Sequence, residues 1–123
     1  MTMPSSTEHE NKQKQEQELE QLRAKLNMET AKMPWRELQR HFASGHIIAI
    51  ADGLDVVNVA VMVARDDAQS IGLLLKDGQI GKATDQQAQT WYEADASLWT
   101  VVVRPWILVQ EKKHISPPSS VPG

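Results

Sequence analysis

Three residues between positions 46 and 55 carry side chains that could transfer protons. His46 is followed by Asp52 and Asp55, and a histidine close to two carboxylates is suited to general acid–base chemistry. Each aspartate also has a structural explanation, because Asp52 precedes a glycine in a turn sequence and Asp55 lies where a helix would begin. The sequence therefore offers a small enzyme using these three residues as one hypothesis, and it favours the structural explanation.

The histidines lack the spacing of a metal site. His41 and His46 are five residues apart with Gly45 between them, whereas two ligands on one face of a helix stand three or four apart. The chain has no cysteine, which excludes disulfides, thiolate metal sites and a cysteine nucleophile. The glycines form no phosphate-binding loop, and no Gly-x-Ser-x-Gly motif occurs. We predict no catalytic residue, no metal site and no cofactor.

The largest apolar side chains supply a different kind of candidate site. Residues 98–109 read LWTVVVRPWILV, and tryptophan and arginine are enriched at binding hot spots. On one continuous strand Trp106 would share a face with Arg104 and lie opposite Trp99, which we assign to the core. We therefore name Trp35, Arg104 and Trp106 as a candidate interaction surface. The alternative is that a second buried face of the sheet, covered by helices, takes up these side chains.

The charge of the chain argues against nucleic-acid and membrane binding. Residues 28–112 contain eight lysines and arginines against eleven aspartates and glutamates, so no basic face is expected. The longest apolar runs are about a dozen residues, shorter than the roughly 20 that span a bilayer. The N-terminus lacks the pattern of a signal peptide. We predict a cytoplasmic protein that binds neither a membrane nor nucleic acid.

The elements that would position these residues begin with two helices. The first is predicted over residues 18–33, where leucines recur every three or four positions. Pro34 cannot continue that helix but suits the first turn of a second one, which Gly45 would end. Residues 46–51, HIIAIA, then form an apolar run that predicts a strand.

The middle of the chain contains one ambiguous segment. Residues 54–65, LDVVNVAVMVAR, have the β-branched content of a strand and the length of a buried helix. We predict a helix beginning at Leu54 or Asp55. A second helix follows, with Asp66 or Asp67 as its cap and Gly78 at its end.

The last third of the chain combines a clear helix start with an uncertain turn. A short strand is predicted near residues 79–83, and Thr84 with Gln87 forms a capping-box sequence that opens a helix. Residues 98–110 form the final strand. Because proline is unsuited to the favoured two-residue hairpins, we expect one long strand bent or bulged at Pro105, the alternative being two strands separated there.

These elements predict one small α+β domain in which helices pack on a sheet built from strands near 46–51, 79–83 and 98–110. The domain would occupy residues 18–112. Residues 1–17 and 113–123 are too polar or too rich in proline to offset the entropy of ordering, so we predict disordered tails there.

Three stretches of the sequence resemble a known family of small bacterial proteins. They are LRAKLNMETAKMPWRELQRHFASG, LDVVNVAVMVARDD and WYEADASLWTVVVRPWILVQE, and together they extend over roughly residues 18–111. The family is the one called domain of unknown function 2288. The resemblance implies a single compact domain and brings no established activity, cofactor or site.

The sequence leaves three functional hypotheses. The favoured one is a small interaction or regulatory module without a catalytic centre, which binds a protein partner or associates with itself. The second is a winged-helix-like domain that binds nucleic acid, in which the acidic segment DDAQSIGLLLKD would have to face phosphates. The third is the small enzyme that uses His46, Asp52 and Asp55.

Overall fold

A computed structural model describes residues 5–112, with side chains from residue 11 onward. This part of the chain forms five helices and five strands. The helices are α1 (Ser5–Glu29), α2 (Trp35–Ala43), α3 (Val56–Ala64), α4 (Ala68–Lys76) and α5 (Asp85–Glu93). The strands are β1 (Ala31–Pro34), β2 (Ile47–Ile50), β3 (Ile80–Lys82), β4 (Ser97–Val103) and β5 (Trp106–Gln110).

The five strands form one mixed sheet in the order β1-β4-β5-β2-β3. β5 lies in the middle, antiparallel to β4 and parallel to β2, while β1 and β3 are the two edges. The predicted α+β class is confirmed, and so are strands in each of the three predicted regions. β1 is an additional strand that the sequence did not predict.

Helices cover both faces of the sheet and give a three-layer domain. On one face, α1, α3 and α4 pack over β4, β5, β2 and β3, with Val56, Val59 and Leu108 among the least exposed side chains. On the other face, α2 and α5 bury a second cluster centred on Trp35 and Trp91. Alternating side chains of the central strands therefore enter two separate cores.

Short-range signals in the sequence set the helix ends. Residues 54–65 contain helix α3, as predicted, and the Asp55 carboxylate caps it by accepting a hydrogen bond from the Val57 N–H at 2.9 Å. The predicted capping box is present at α5, where Thr84 and Gln87 bond reciprocally at 3.1 and 2.9 Å. Gly45 follows α2 with a positive φ of 79°, which glycine adopts without steric cost.

The expectation of one long final strand is wrong. Arg104 and Pro105 form a two-residue turn between β4 and β5, so that Val103 pairs directly with Trp106. The Arg104–Pro105 peptide bond is cis. A cis proline at the third position of a tight turn gives a reversal of a different type from the hairpins on which the prediction was based.

The N-terminal helix is placed differently from its predicted range. It begins at Ser5 and ends at Glu29, so residues 5–17, predicted as part of a disordered tail, are helical, and residues 30–33 are not. The chain instead becomes extended, and Ala31–Pro34 pairs with residues 97–100 of β4. Pro34 is the last residue of this strand and precedes α2. The predicted tail at 113–123 lies outside the described residues.

No helix within residues 5–112 has both the length and the apolar character needed to cross a membrane.

Candidate interaction groove

The structure keeps the three proton-transfer candidates apart. His46 precedes the first residue of β2, and Asp52 and Asp55 follow its end. The four residues of β2 span about 13 Å at 3.3 Å per residue, so His46 lies at the opposite end of the strand from both aspartates. Asp55 is engaged as the cap of α3, and Asp52 is exposed in a turn. Among the described residues, no group of three or more histidines and carboxylates is arranged to hold a metal ion.

Trp35 is removed from the candidate interaction surface by its burial. Only 2% of its surface is exposed, and its ring centroid lies 5.1 Å from that of Trp91 and 5.7 Å from that of Phe42. The Trp91 indole N–H donates to the Glu111 carboxylate over 2.7 Å. Trp35 is therefore the centre of the core beneath α2 and α5. This agrees, for Trp35, with the alternative given in the sequence analysis, in which helices cover a second face of the sheet.

The hairpin changes the neighbours of Trp106. Because the chain reverses at Arg104 and Pro105, Trp106 lies on the same face of the sheet as Trp99 and not opposite it. Its half-buried ring packs edge-on against His46, with centroids 6.0 Å apart. Arg104 is exposed within the turn itself. Trp106 lines a concave, mainly apolar surface on this face of the sheet.

That surface is an apolar groove of about 310 Å³ between α4 and the sheet. We call it the α4 groove. Its floor is the sheet face of β2, β3 and β5, and its walls come from α3 and α4. The apolar lining residues are Ile48, Val59, Val63, Ile71, Leu75, Ile80, Trp106 and Leu108, and the polar ones are Asp66 and Lys82.

The groove exists because α4 packs loosely. None of its residues is buried, and Leu73 and Leu75 are 60% and 52% exposed. Leu75 is therefore only half covered. The half-buried Ile71 and Leu74 hold the helix above the sheet by packing against the core. Its ends are capped locally, since Asp67 accepts from the Ser70 N–H at 3.2 Å and the Gln79 N–H donates to Leu74 O at 2.9 Å.

The turn between α3 and α4 brings a negative charge to the groove. Asp66 has a positive φ of 59°, a conformation that aspartate tolerates better than most residues. It is exposed and lines one end of the groove. Hydrogen bonds from the side chain and backbone of Ser70 hold the pKa of the neighbouring Asp67 below its ordinary value. Lys82, on β3, supplies the positive charge of the lining.

A second concavity, below the opposite face, has a different character. It is lined by Trp35, Trp91, Tyr92 and three charged residues. Two of these, Arg36 and Asp95, form an ion pair of 3.1 Å whose side chains are both 69% exposed. An exposed pair of this kind contributes little to stability or binding. The α4 groove is therefore the stronger candidate site.

The molecule is thus a small three-layer α+β domain with an open apolar groove on one side. The chain belongs to the family described as protein of unknown function (DUF2288), whose model matches residues 21–111. A protein with a similar solved structure is PA1075 from Pseudomonas aeruginosa, determined in solution by NMR. The two are 38% identical, the match covers 80% of this chain and 91% of that one, and the TM-score is 0.67. No curated protein matches the chain.

Proposed function

We propose that the protein is a non-catalytic interaction module that binds apolar side chains of a protein partner in the α4 groove. The observation that carries this proposal is the groove itself, which eight apolar side chains line between α4 and the sheet and in which Leu75 is 52% exposed. Exposed apolar surface of this kind is costly in a monomer and marks binding sites. The separation of His46 from the two aspartates supports a role without acid–base catalysis.

The composition of the groove resembles a protein interface. Its centre is apolar, with Trp106 as a large aromatic side chain, and its polar residues are the oppositely charged Asp66 and Lys82. Interfaces have this arrangement of an apolar centre and a polar rim, and tryptophan is enriched among the residues that carry their binding energy.

The size of the groove favours side chains over a small-molecule ligand. Its volume of about 310 Å³ is at the lower limit of the roughly 300–1,000 Å³ found for ligand pockets. Such pockets also enclose most of the ligand and offer several polar groups that fix its orientation. A shallow groove with two charged residues suits one or two apolar anchors on the surface of another protein.

Selection from a displayed library of random peptides tests the proposal. Peptides selected on the wild-type protein should share apolar residues at a fixed spacing, and their binding should shift the NMR signal of the Trp106 indole. The variant Leu75→Asp should weaken their binding at least tenfold, because it places a charge in the groove. Val102→Asp is the matched control, since Val102 is also exposed, at 46%, but on the opposite face of the sheet.

Both variants must retain the melting behaviour of the parent for the comparison to hold. Equal binding of the selected peptides to wild-type protein and Leu75→Asp would contradict the proposal. Failure to select any peptide would also contradict it.

A further inference from the structure

We infer that one partner of this module is a second copy of the chain, joined through the outer edge of β3 so that the two sheets become continuous. This inference names a partner for the surface beside the α4 groove and therefore rests on the proposed function. The observations that carry it are the direction of the backbone groups of β3, the position of Gly81 and the exposure of the leucines on α4.

The outer edge of β3 presents backbone groups that the sheet does not use. β3 pairs with β2 on one side only. Gln79 O accepts from Ala51 N–H at 2.9 Å, and Ala83 N–H donates to Ile47 O at 3.0 Å, so the odd-numbered residues direct their groups toward β2. Because these groups alternate along an antiparallel strand, Ile80 and Lys82 direct theirs away from the sheet.

The spacing of these outward groups suits pairing with an identical strand. In an antiparallel pair centred on Gly81, Ile80 would face Lys82 of the partner subunit and Lys82 would face Ile80 of the partner subunit. Each of the two pairs would exchange two hydrogen bonds. The arrangement is two-fold symmetric, which is the commonest symmetry of protein dimers. The two lysines would not stand directly opposite each other.

The two Gly81 residues would face each other across the two-fold axis, where the backbones come closest. Residues that face each other without hydrogen bonds have Cα atoms about 4.5 Å apart, and glycine adds no side chain there. A Cβ built on Gly81 points out of the sheet plane and would meet no atom within 4 Å, so the sheet face at this position is uncrowded.

The exposed leucines explain why a second copy fits better than an isolated strand. A pairing of three residues is too short to be stable alone. A two-fold axis perpendicular to the sheet would place α4 of both copies on the same face, flanking the axis. Leu75, which lines the groove with Ile80 and Lys82, is 52% exposed, and Leu73 is 60% exposed. Contact between the two α4 helices would bury apolar surface next to the paired strands.

Sedimentation velocity between about 1 μM and 1 mM tests the inference. Wild-type protein should show a monomer–dimer equilibrium. Lys82→Pro should raise the dimer Kd at least tenfold, because it removes an outward N–H without removing a hydrogen bond to β2. Lys82→Ala is the matched control and should have the wild-type Kd within about threefold. Leu73→Asp should weaken the dimer while leaving peptide binding in the groove intact.

Hydrogen exchange on the wild-type protein gives a second measurement that needs no variant. The amides of Ile80 and Lys82 should exchange more slowly as protein concentration rises, whereas the amide of Lys32, on β1 at the opposite edge of the sheet, should not change. Concentration-independent exchange at both β3 amides would overturn the inference, as would a monomer at 1 mM. An equal dimer Kd for Lys82→Pro and Lys82→Ala would do the same.

The two proposals fail in different ways. A monomer whose peptide binding is lost in Leu75→Asp would remove the dimer and keep the groove as a binding site. A dimer that dissociates in Lys82→Pro, in a protein that selects no peptide, would keep the strand pairing and remove the groove function.

Discussion

The side-chain amide of Gln110 donates a hydrogen bond of 2.6 Å to the main-chain oxygen of Leu54. A second bond of 2.7 Å reaches the oxygen of Ala51. Gln110 is 1% exposed and ends the central strand β5. It therefore ties the loop between β2 and α3 to the middle of the sheet. Within the described part of the chain, its own side-chain oxygen has no hydrogen-bond donor.

Substitution of Gln110 by alanine should destabilise the protein by about 2–4 kcal/mol, because it removes the side-chain donor to Leu54 O, removes one of the two donors to Ala51 O and opens a cavity. Urea denaturation measures this loss. Gln79→Ala is the control, since that glutamine is exposed at the start of β3, and it should change stability by no more than about 0.5 kcal/mol. A Gln110→Ala variant as stable as the control would show that the loop does not depend on this side chain.

Trp35→Ala should be among the most destabilising single changes in the chain. The ring is buried between Trp91 and Phe42, and truncation of a large aromatic side chain in a core costs about 3–5 kcal/mol. Thermal or chemical unfolding monitored by circular dichroism gives the value. Tyr92 lies on α5 and is 61% exposed. Tyr92→Ala is the comparison, and its free energy of unfolding should stay within about 0.5 kcal/mol of the wild-type value. Similar losses for the two variants would contradict the assignment of Trp35 to the core.

Asp55 should behave as a helix cap. Asp55→Ala should lower stability by about 0.5–2 kcal/mol, whereas Asp55→Asn should be nearly neutral because asparagine caps equally well. Asp52→Ala should have no comparable effect, since Asp52 is exposed in a turn and precedes no helix directly. Denaturation midpoints of the three variants check the order. A large loss in Asp55→Asn would mean that the carboxylate charge has a further role.

Duplex DNA should bind weakly or not at all. Asp66, Asp67 and Asp77 flank α4, and Lys76 is the basic residue of that helix, so a surface presented by α4 would repel phosphates. Fluorescence anisotropy of a labelled duplex at physiological salt should give no Kd tighter than about 100 μM, the weak end of non-specific binding. Submicromolar binding that falls steeply with added salt would instead support the winged-helix hypothesis.

The parts of the fold that the sequence predicted are those set by neighbouring residues. The Thr84–Gln87 capping box and the Asp55 cap depend on contacts two or three positions apart. The sequence also separated α3 from α4 correctly, because Asp67 and the turn before it are local features. Such signals act within one turn of a helix and do not depend on the rest of the molecule.

The parts that it missed depend on residues far apart in the chain. Ala31–Pro34 has no alternating pattern of its own and is extended because β4 pairs with it. The face of the sheet on which Trp106 lies depends on whether the chain reverses at Pro105, and the sequence did not determine this. The residues that line the α4 groove come from four separate segments of the chain, which are Ile48, residues 59–75, residues 80–82 and residues 106–108. Because no single segment contains the whole lining, the site has no continuous sequence motif.

The central position of β5 has a consequence for synthesis of the protein on the ribosome. β5 connects the β1–β4 pair to the β2–β3 pair, yet it follows all four of those strands in sequence. While residues 106–110 are still inside the ribosome, the two strand pairs of the nascent chain are not joined. Their apolar surface is then exposed. Folding of this domain must therefore wait until nearly all of its described residues have left the exit tunnel, and a chain that stalls earlier is a substrate for chaperones and proteases.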